Sequence, residues 1–364
     1  MRLSPLNRRR LALFKKNGRG RWSFWIFLML FAVSLFAPLI ANDRPMLASY
    51  KGELLFPLLK DYPESKFGGF LAKTNFRDPV NVDEINANGW MLWPLVHYSY
   101  NTVNTEIPSP APSKPAFLLN RDEACVKYPL KGQDPACVGG NMNWLGTDDQ
   151  GRDVIARLIY GFRISVAFGL LLTAISSVIG IAAGAVQGYF GGWIDLVMQR
   201  LIDIWQSIPT LYLLIILSAF VAPTFWLLLG LLVLFSWTHL VHLIRAEFLR
   251  ARNFEYVRAA KALGLSDWKI MYKHVLPNAM VSAVTFMPFI VAGSVSTLTS
   301  LDYLGFGLPP GSPSLGELVQ QGKNNLQAPW LGMSIFIVSS MMLTLLIFIG
   351  EAARDALDPR KTFT

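Results

Sequence analysis

Residues 163–187 read RISVAFGLLLTAISSVIGIAAGAVQ, and Arg163 is the only charged residue in this run. An α-helix needs about 20 predominantly apolar residues to cross the hydrocarbon core of a bilayer. A core helix of a soluble protein needs no uncharged stretch of this length. The run therefore predicts a membrane-spanning helix.

Similar apolar runs occur on both sides of this one. We predict six spans, at residues 22–41, 163–187, 195–222, 225–243, 275–300 and 329–350, with a kink in the third at Pro209. Of the 364 residues, 52% are hydrophobic and only 16% are charged, whereas a soluble globular protein has about 25% charged residues. The composition excludes an ordinary cytosolic enzyme and favours an all-α polytopic membrane protein.

The distribution of basic residues predicts how the chain crosses the membrane. Residues 1–21 contain eight Lys and Arg and no acidic residue, so the positive-inside bias places the N-terminus in the cytoplasm. A cleaved signal peptide is the alternative interpretation. Six spans return residues 351–364 to the cytoplasm, and the connecting loops alternate sides: 42–162 and 301–328 outside, 244–274 inside.

The charges of the long connecting segments agree with this topology. Residues 42–150 carry ten basic and thirteen acidic residues, whereas residues 245–273 carry seven basic and three acidic ones. The predicted outer side also carries three arginines, Arg152, Arg157 and Arg163, although the positive-inside bias disfavours basic residues there. We interpret them as snorkelling side chains of an interfacial amphipathic helix. The formal net charge of +9 therefore reflects membrane topology, and no nucleic-acid partner is expected.

The only two cysteines, Cys125 and Cys137, both lie in the outer segment. That side of the membrane is oxidising, and Pro129, Gly132 and Pro135 between them favour a compact turn. We predict that the two cysteines form a disulfide. They are too few to make a zinc site, and the four histidines do not form a ligand set either, so no metal is expected.

The cytoplasmic loop is predicted to fold as two short helices. An apolar stripe runs through residues 249–263 among basic residues, Gly264 can end the first helix, and Ser266 can cap the second. Ala259 and Ala260 would let another surface approach closely, while Tyr256 and Leu263 could fill a groove. A docking helix is one interpretation, and an amphipathic helix lying on anionic lipid is the other.

The same loop resembles a known motif. Residues 258–264 (RAAKALG) followed by Leu276 and Pro277 are similar to the E-A-A-x3-G-x9-I-x-L-P loop, the EAA motif, of ATP-binding-cassette (ABC) importer permeases. Arg258 replaces the Glu of that motif and His274 replaces its Ile. Further strings resemble the dipeptide/oligopeptide (DppC/OppC) permease family: 143–154 (NWLGTDDQGRDV), 188–195 (GYFGGWID), 274–278 (HVLPN) and 355–360 (DALDPR). Residues 42–45, 88–93 and 322–330 look closest to its YejE-type peptide and microcin C branch.

The resemblance implies a type I (MetI-like) importer permease of the bacterial inner membrane. Such a subunit forms half of a pore with a homologous permease subunit. It works with ATP-binding subunits, or one fused ATPase, and with a periplasmic peptide-binding protein. The loop would dock on the ATPase through Ala259, Ala260 and Gly264, with Leu276 and Pro277 fixing the return into the fifth span. Oligopeptides are the implied cargo, and nickel or another small solute handled by related permeases is the alternative.

Two further groups of residues are candidate structural or functional sites. Gly180, Gly184 and Gly188 lie on one helix face, which predicts close helix packing, with a pore-lining role as the alternative. Asp195, Arg200 and Asp203 form a charge cluster at the inner end of the third span, where Arg200 can reach either carboxylate. An ion cluster fixing the helix end is expected, with a gate as the alternative.

The sequence contains no recognisable ATP-binding motif or catalytic site. It contains no Gly-x4-Gly-Lys-Ser/Thr string, so ATP must be bound by partner subunits and no cofactor is expected. No nucleophile and base are expected at matching depth, which argues against an intramembrane hydrolase. A secondary transporter would typically show inverted repeats and ionisable mid-membrane groups, and neither is clear here.

Overall fold

The structure is a computed structural model that describes residues 5–105, 107, 109–119 and 143–357. Cys125 and Cys137 lie outside the described residues, so their pairing stays a prediction. The helices are α1 (Pro5–Lys16), α2 (Gly18–Leu35), α3 (Ala37–Ile40), α4 (Pro79–Ala87), α5 (Val154–Phe190), α6 (Gly192–Gln206), α7 (Thr210–Ser218), α8 (Phe225–Ser236), α9 (Thr238–Ala251), α10 (Glu255–Ala262), α11 (Asp267–Ile270), α12 (Leu276–Tyr303), α13 (Leu315–Asn324) and α14 (Pro329–Leu357). Three short strands, β1 (Leu47–Tyr50), β2 (Glu53–Leu55) and β3 (Gly89–Leu92), lie between α3 and α5.

Four helical stretches in the described part of the chain are long and apolar enough to cross a membrane. They are α5, α8 with α9 (Phe225–Ala251), α11 with α12 (Asp267–Tyr303) and α14. The pair α6 and α7 makes a fifth if it counts as one span bent by 55°. The break falls at Pro209, which precedes the first residue of α7, so the predicted kink is confirmed.

The first predicted span, residues 22–41, is divided in the structure. Helix α2 begins at Gly18 and ends at Leu35, and α3 follows after Phe36. With only 18 residues and Arg19 and Arg21 in its first turn, α2 is not among the long apolar helices. Its crossing of the membrane stays a prediction.

One compact unit comprises Met1–Met29, Ser165–Pro309 and Ser340–Thr364. One core of this unit joins α5, α9, α10 and α12, with Ile244, Phe248, Val275 and Ala283 fully buried. A second core places Phe168 and Leu172 of α5 against α7, α8 and α12. Apolar helix faces form both cores. Van der Waals packing is the main contact between these helices, because few polar side chains lie between them.

The other unit comprises Leu30–Ile164 and Pro310–Ser339. It contains a small antiparallel sheet in the order β2-β1-β3, which the all-α prediction did not include. Tyr50, Leu55, Phe67, Phe76 and Ile85 form the core beneath it. The membrane-protein fold class is confirmed, and the sheet is an addition to it.

Buried Glu64 organises the loop next to this sheet. Its carboxylate accepts hydrogen bonds from the Phe70 and Leu71 N–H groups and from the Asn81 amide, at 3.1, 3.0 and 2.8 Å. These donors, the Asn81 amide foremost, lower the pKa of Glu64. The negative charge is therefore retained and holds the loop in one conformation.

Candidate functional site

Helices α10 and α11 form the helix pair that the loop sequence predicts. Gly264 ends α10 with a φ of +77°, a backbone conformation that an L side chain disfavours. The Leu265 N–H donates to the Ala260 carbonyl at 3.2 Å, and the Gly264 N–H donates to the Lys261 carbonyl at 3.0 Å. This bonding is typical of a glycine-terminated helix. Ser266 precedes α11 as its N-cap residue, although its side chain makes no capping bond.

The two faces of α10 differ sharply in exposure. Val257 and Ala260 are buried in the core that α10 shares with α5, α9 and α12. Tyr256, Arg258, Ala259 and Gly264 are exposed, and Leu263 is 81% exposed. The placement of Ala260 on the docking face is therefore wrong, because its methyl group packs into the chain's own core.

Polar contacts fix the helix pair to its neighbours in the same unit. The Tyr189 hydroxyl of α5 donates to the Asp267 carboxylate at 2.8 Å, and Lys261 Nζ lies 3.6 Å from that carboxylate. Ser282 Oγ of α12 donates to Glu247 of α9 at 2.9 Å, a contact between the two long helices beside the pair. The Tyr189–Asp267 hydrogen bond and the shared apolar core attach the pair to α5.

Helix α11 continues into α12 through a π-turn at Met271–Val275. Leu276 is partly buried against the core of α5 and α9, and exposed Pro277 occupies the first turn of α12, a position that needs no N–H donor. The two residues stand where the chain enters the long helix.

Gly180, Gly184 and Gly188 of α5 all lie against α9. A Cβ atom at Gly184 would be 2.7 Å from the Val241 carbonyl oxygen, and one at Gly188 would be 2.5 Å from that of Arg245. A Cβ at Gly180 would collide with the Trp237 carbonyl in the same way. The three glycines let the two backbones meet closely.

The charge cluster at the start of α6 is arranged differently from the prediction. Asp195 pairs with Arg245 of α9 through two hydrogen bonds, the NH2 group reaching Oδ2 at 2.6 Å. Arg200 instead pairs with Asp203, at 3.4 Å on the exposed surface. The pairing of Asp195 with Arg200 is wrong, because Arg245 offers a planar bidentate partner.

A buried ionic cluster, the Asp148–Glu317 cluster, involves Arg152 and Arg157. Arg152 donates to Asp148 at 2.6 Å and to Glu317 at 2.7 Å, and Arg157 donates to Glu317 at 2.7 Å. Arg157 is fully buried and Arg152 nearly so. The snorkelling interpretation of these two arginines is therefore wrong. They neutralise buried carboxylates and join the start of α5 to α13.

Asp153 closes the first turn of α5 next to this cluster. It accepts hydrogen bonds from the Ala156 N–H and the Asn143 amide, both at 2.8 Å. Complete burial outweighs these donors and raises the pKa of Asp153 to about 6. Asp153 is an N-cap residue of the kind that starts helices, and sequence reasoning overlooked it.

Comparison with known proteins identifies the family. Residues 157–363 match the family described as binding-protein-dependent transport system inner membrane component. The chain belongs to this family. It is 63% identical over 360 residues to the peptidoglycan transport system permease protein YejE of Agrobacterium fabrum, covering 99% of this chain and 94% of the relative.

Two other relatives extend this result. The inner membrane ABC transporter permease protein YejE of Escherichia coli is 54% identical over 361 residues, covering 99% of both chains. The oligopeptide transport system permease protein OppC of Lactococcus lactis strain IL1403 is 36% identical over 226 residues, covering 61% of this chain and 76% of the relative. The recognised resemblance and the fold class are both confirmed.

As a member of this family, the chain is the membrane component of an ABC importer. The family match begins at Arg157 of the Asp148–Glu317 cluster. It includes the α5 glycines, the Asp195–Arg245 pair and helix α10.

Proposed function

We propose that the chain is one permease subunit of a peptide importer, and that α10 docks on an ATPase subunit. The exposed face of α10, formed by Tyr256, Arg258, Ala259, Leu263 and Gly264, carries this proposal. Leu263 at 81% exposure and exposed Tyr256 place apolar surface beside the arginine and lysine side chains of this helix.

The packing of α10 against other helices supports a role in coupling the ATPase to the membrane spans. Its buried face packs against α5, α9 and α12. A displacement of α10 by a partner would therefore be transmitted to three helices. A helix resting passively on lipid would not need this rigid connection. We expect ATP-driven movement of the ATPase to be transmitted through this contact to the spans.

The partners follow from family membership. A half-pore needs a homologous second permease subunit, and the family description names a binding protein. We infer a periplasmic binding protein, an inner-membrane location, and cytoplasmic N- and C-termini. The chain itself performs no enzymatic reaction in this scheme.

Peptides are the proposed cargo because relatives are named for peptidoglycan and oligopeptide transport. The similarity to the YejE proteins extends over 99% of the chain. That length of agreement favours oligopeptides, with peptide-nucleotides of the microcin C type as a further class.

Two substitutions test docking. Gly264→Trp and Ala259→Arg should each reduce peptide uptake about tenfold or more, because both add bulk to the exposed face. Uptake, membrane level and ATPase co-purification are measured together on the complete importer. Normal transport by both variants would contradict the proposal.

A matched glycine separates docking from backbone strain. Gly305 has a φ of +82° and open surroundings, as Gly264 has, but it lies at the other end of α12. Gly305→Trp should carry the same backbone cost of about 1–2 kcal/mol and leave ATPase binding intact. If Gly305→Trp abolishes ATPase co-purification too, the effect is strain rather than docking. An added arginine at Ala259 that strengthens membrane attachment without reducing uptake would favour the lipid-surface alternative.

A further inference from the structure

A cavity of about 370 Å³ lies between α9 and α12, and we call it the mid-span cavity. Its lining combines polar and aromatic groups, including His239, Gly293, Ser294, Thr297, Phe286 and Phe289. All belong to one compact unit. His239 and Ser294 share this lining, so the expectation that no nucleophile and base lie at matching depth is wrong, although no hydrogen bond joins the two in the described part of the chain. The volume is near the lower end of the ~300–1,000 Å³ typical of small-molecule sites, which is room for part of a peptide rather than a whole oligopeptide.

The depth of the cavity sets it apart from ordinary surface grooves. On α9, His239 lies six residues before Arg245, the first Lys or Arg of that helix, and on α12 the cavity lining runs from Phe286 to Thr297. Residues 225–244 and 276–301 contain no Asp, Glu, Lys or Arg. An exposed imidazole at such a depth is costly against lipid, so it favours a functional role.

The polar groups of the cavity can serve a neutral hydrogen-bonding ligand. Thr297 Oγ1 donates its own hydrogen to the Gly293 carbonyl at 2.9 Å, which leaves its oxygen as an acceptor. A neutral histidine offers one donor and one acceptor. A peptide bond offers the complementary N–H and C=O, and Phe286 and Phe289 offer apolar contact.

We propose that the mid-span cavity receives one amino-acid residue of the passing peptide. His239 bonds to its backbone amide, and the two phenylalanines contact an apolar or aromatic side chain. This inference rests on the proposed peptide-import function. The absence of a charged residue from the cavity lining makes an acidic or basic side chain a poor occupant, because nothing there offsets its desolvation.

Filling the cavity is the sharpest test. A Cβ at Gly293 meets nothing within 4 Å, and the same is true of Gly230 in α8, which lies outside the cavity. In the complete importer, Gly293→Leu should reduce uptake of the tripeptide Ala-Phe-Ala about tenfold, whereas Gly230→Leu should leave it unchanged. Ala-Asp-Ala uptake should fall less, because its central residue gains little from the cavity.

A second pair of variants tests the hydrogen bond. His242 lies one helical turn beyond His239, is exposed, and does not line the cavity. His239→Leu should reduce Ala-Phe-Ala uptake about 5- to 10-fold, the effect of one hydrogen bond, and His239→Gln should restore part of it. His242→Leu should have no comparable effect.

The other possible outcomes would give the cavity a different role or would test a different proposal. If Gly293→Leu transports Ala-Phe-Ala normally, the cavity is filled by lipid and the proposal is overturned. If Gly293→Leu loses co-purification of the second permease subunit, the cavity is a subunit contact and the proposal is equally overturned. If the unaltered importer shows no ATP-dependent peptide uptake, the proposed function fails, which is a separate result.

Discussion

Single buried side chains decide much of the behaviour of the segment before α5. Asp153 lies in a site that solvent does not reach, and burial raises its pKa to about 6. The ordinary pKa of an aspartate side chain is 3.8, so the folded and unfolded chains lose this proton at different pH values. The difference makes stability depend on pH.

Stability should therefore fall as the pH rises through 6. Below about pH 4 the carboxyl is protonated in both states, and between 4 and 6 only the unfolded chain loses the proton. Going from pH 5 to 7.5 should cost about 1.4 kcal/mol from this residue. Asp153→Asn keeps an N-cap acceptor and should remove this part of the dependence. Thermal unfolding in detergent at the two pH values measures it, and an unchanged difference in the variant would contradict the assignment.

A buried and an exposed arginine pair should contribute very differently to the free energy of unfolding. Arg157 is fully buried against Glu317, whereas the Arg200 side chain is 82% exposed beside Asp203. Arg157→Leu should cost about 3–5 kcal/mol, because it removes a partner both of Glu317, which is only 21% exposed, and of fully buried Asp148. Arg200→Leu should cost less than about 1 kcal/mol. Unfolding of the two purified variants compares them directly, and equal losses would show that burial is not the deciding factor.

Among the elements, the contact between α5 and α9 has little room for change. The carbonyl oxygens of Val241 and Arg245 lie where side chains at Gly184 and Gly188 would begin. Backbone carbonyls on a helix cannot turn aside as a flexible side chain can. The two helices must separate if either glycine is enlarged.

Gly184→Leu should therefore destabilise the permease by about 3 kcal/mol or more and lower its membrane level. Gly230→Leu is the matched control, since a side chain there meets no neighbour within 4 Å. Membrane level and melting temperature are compared for both variants. If Gly184→Leu accumulates as well as Gly230→Leu, the close approach of α5 and α9 is not needed for folding.

Local signals predicted some elements well and could not predict others. The break at Pro209 and the helix end at Gly264 follow from the backbone preferences of those residues alone. The cluster of Arg152 and Arg157 with Glu317 joins positions 165 and 160 residues apart, which no local pattern reveals. The exposed and buried sides of α10 were also misjudged at Ala260, because alanine fits either surface. The short strands between α3 and α5 carry too few residues for a clear alternation.

At the scale of the whole molecule, the sidedness of the chain remains a prediction that can be measured. Eight basic residues before the first span place residues 1–21 in the cytoplasm. Single cysteines at Asn7, Asn75 and Asn253, in a chain lacking Cys125 and Cys137, should be labelled from outside only at Asn75. Labelling of Asn253 in intact cells would invert the topology and remove α10 from the ATPase side. Permeabilised cells provide the control, since all three positions should then react.

Gly264 combines a left-handed backbone with empty surroundings, since a Cβ there would meet nothing within 4 Å. Within the chain itself, the position therefore discriminates by chirality and not by size. A D-alanine built in by semisynthesis would sit in its preferred conformation, whereas the L-enantiomer of the same volume is penalised by about 1–2 kcal/mol. At this turn glycine stands in for a mirror-image amino acid that the ribosome does not supply.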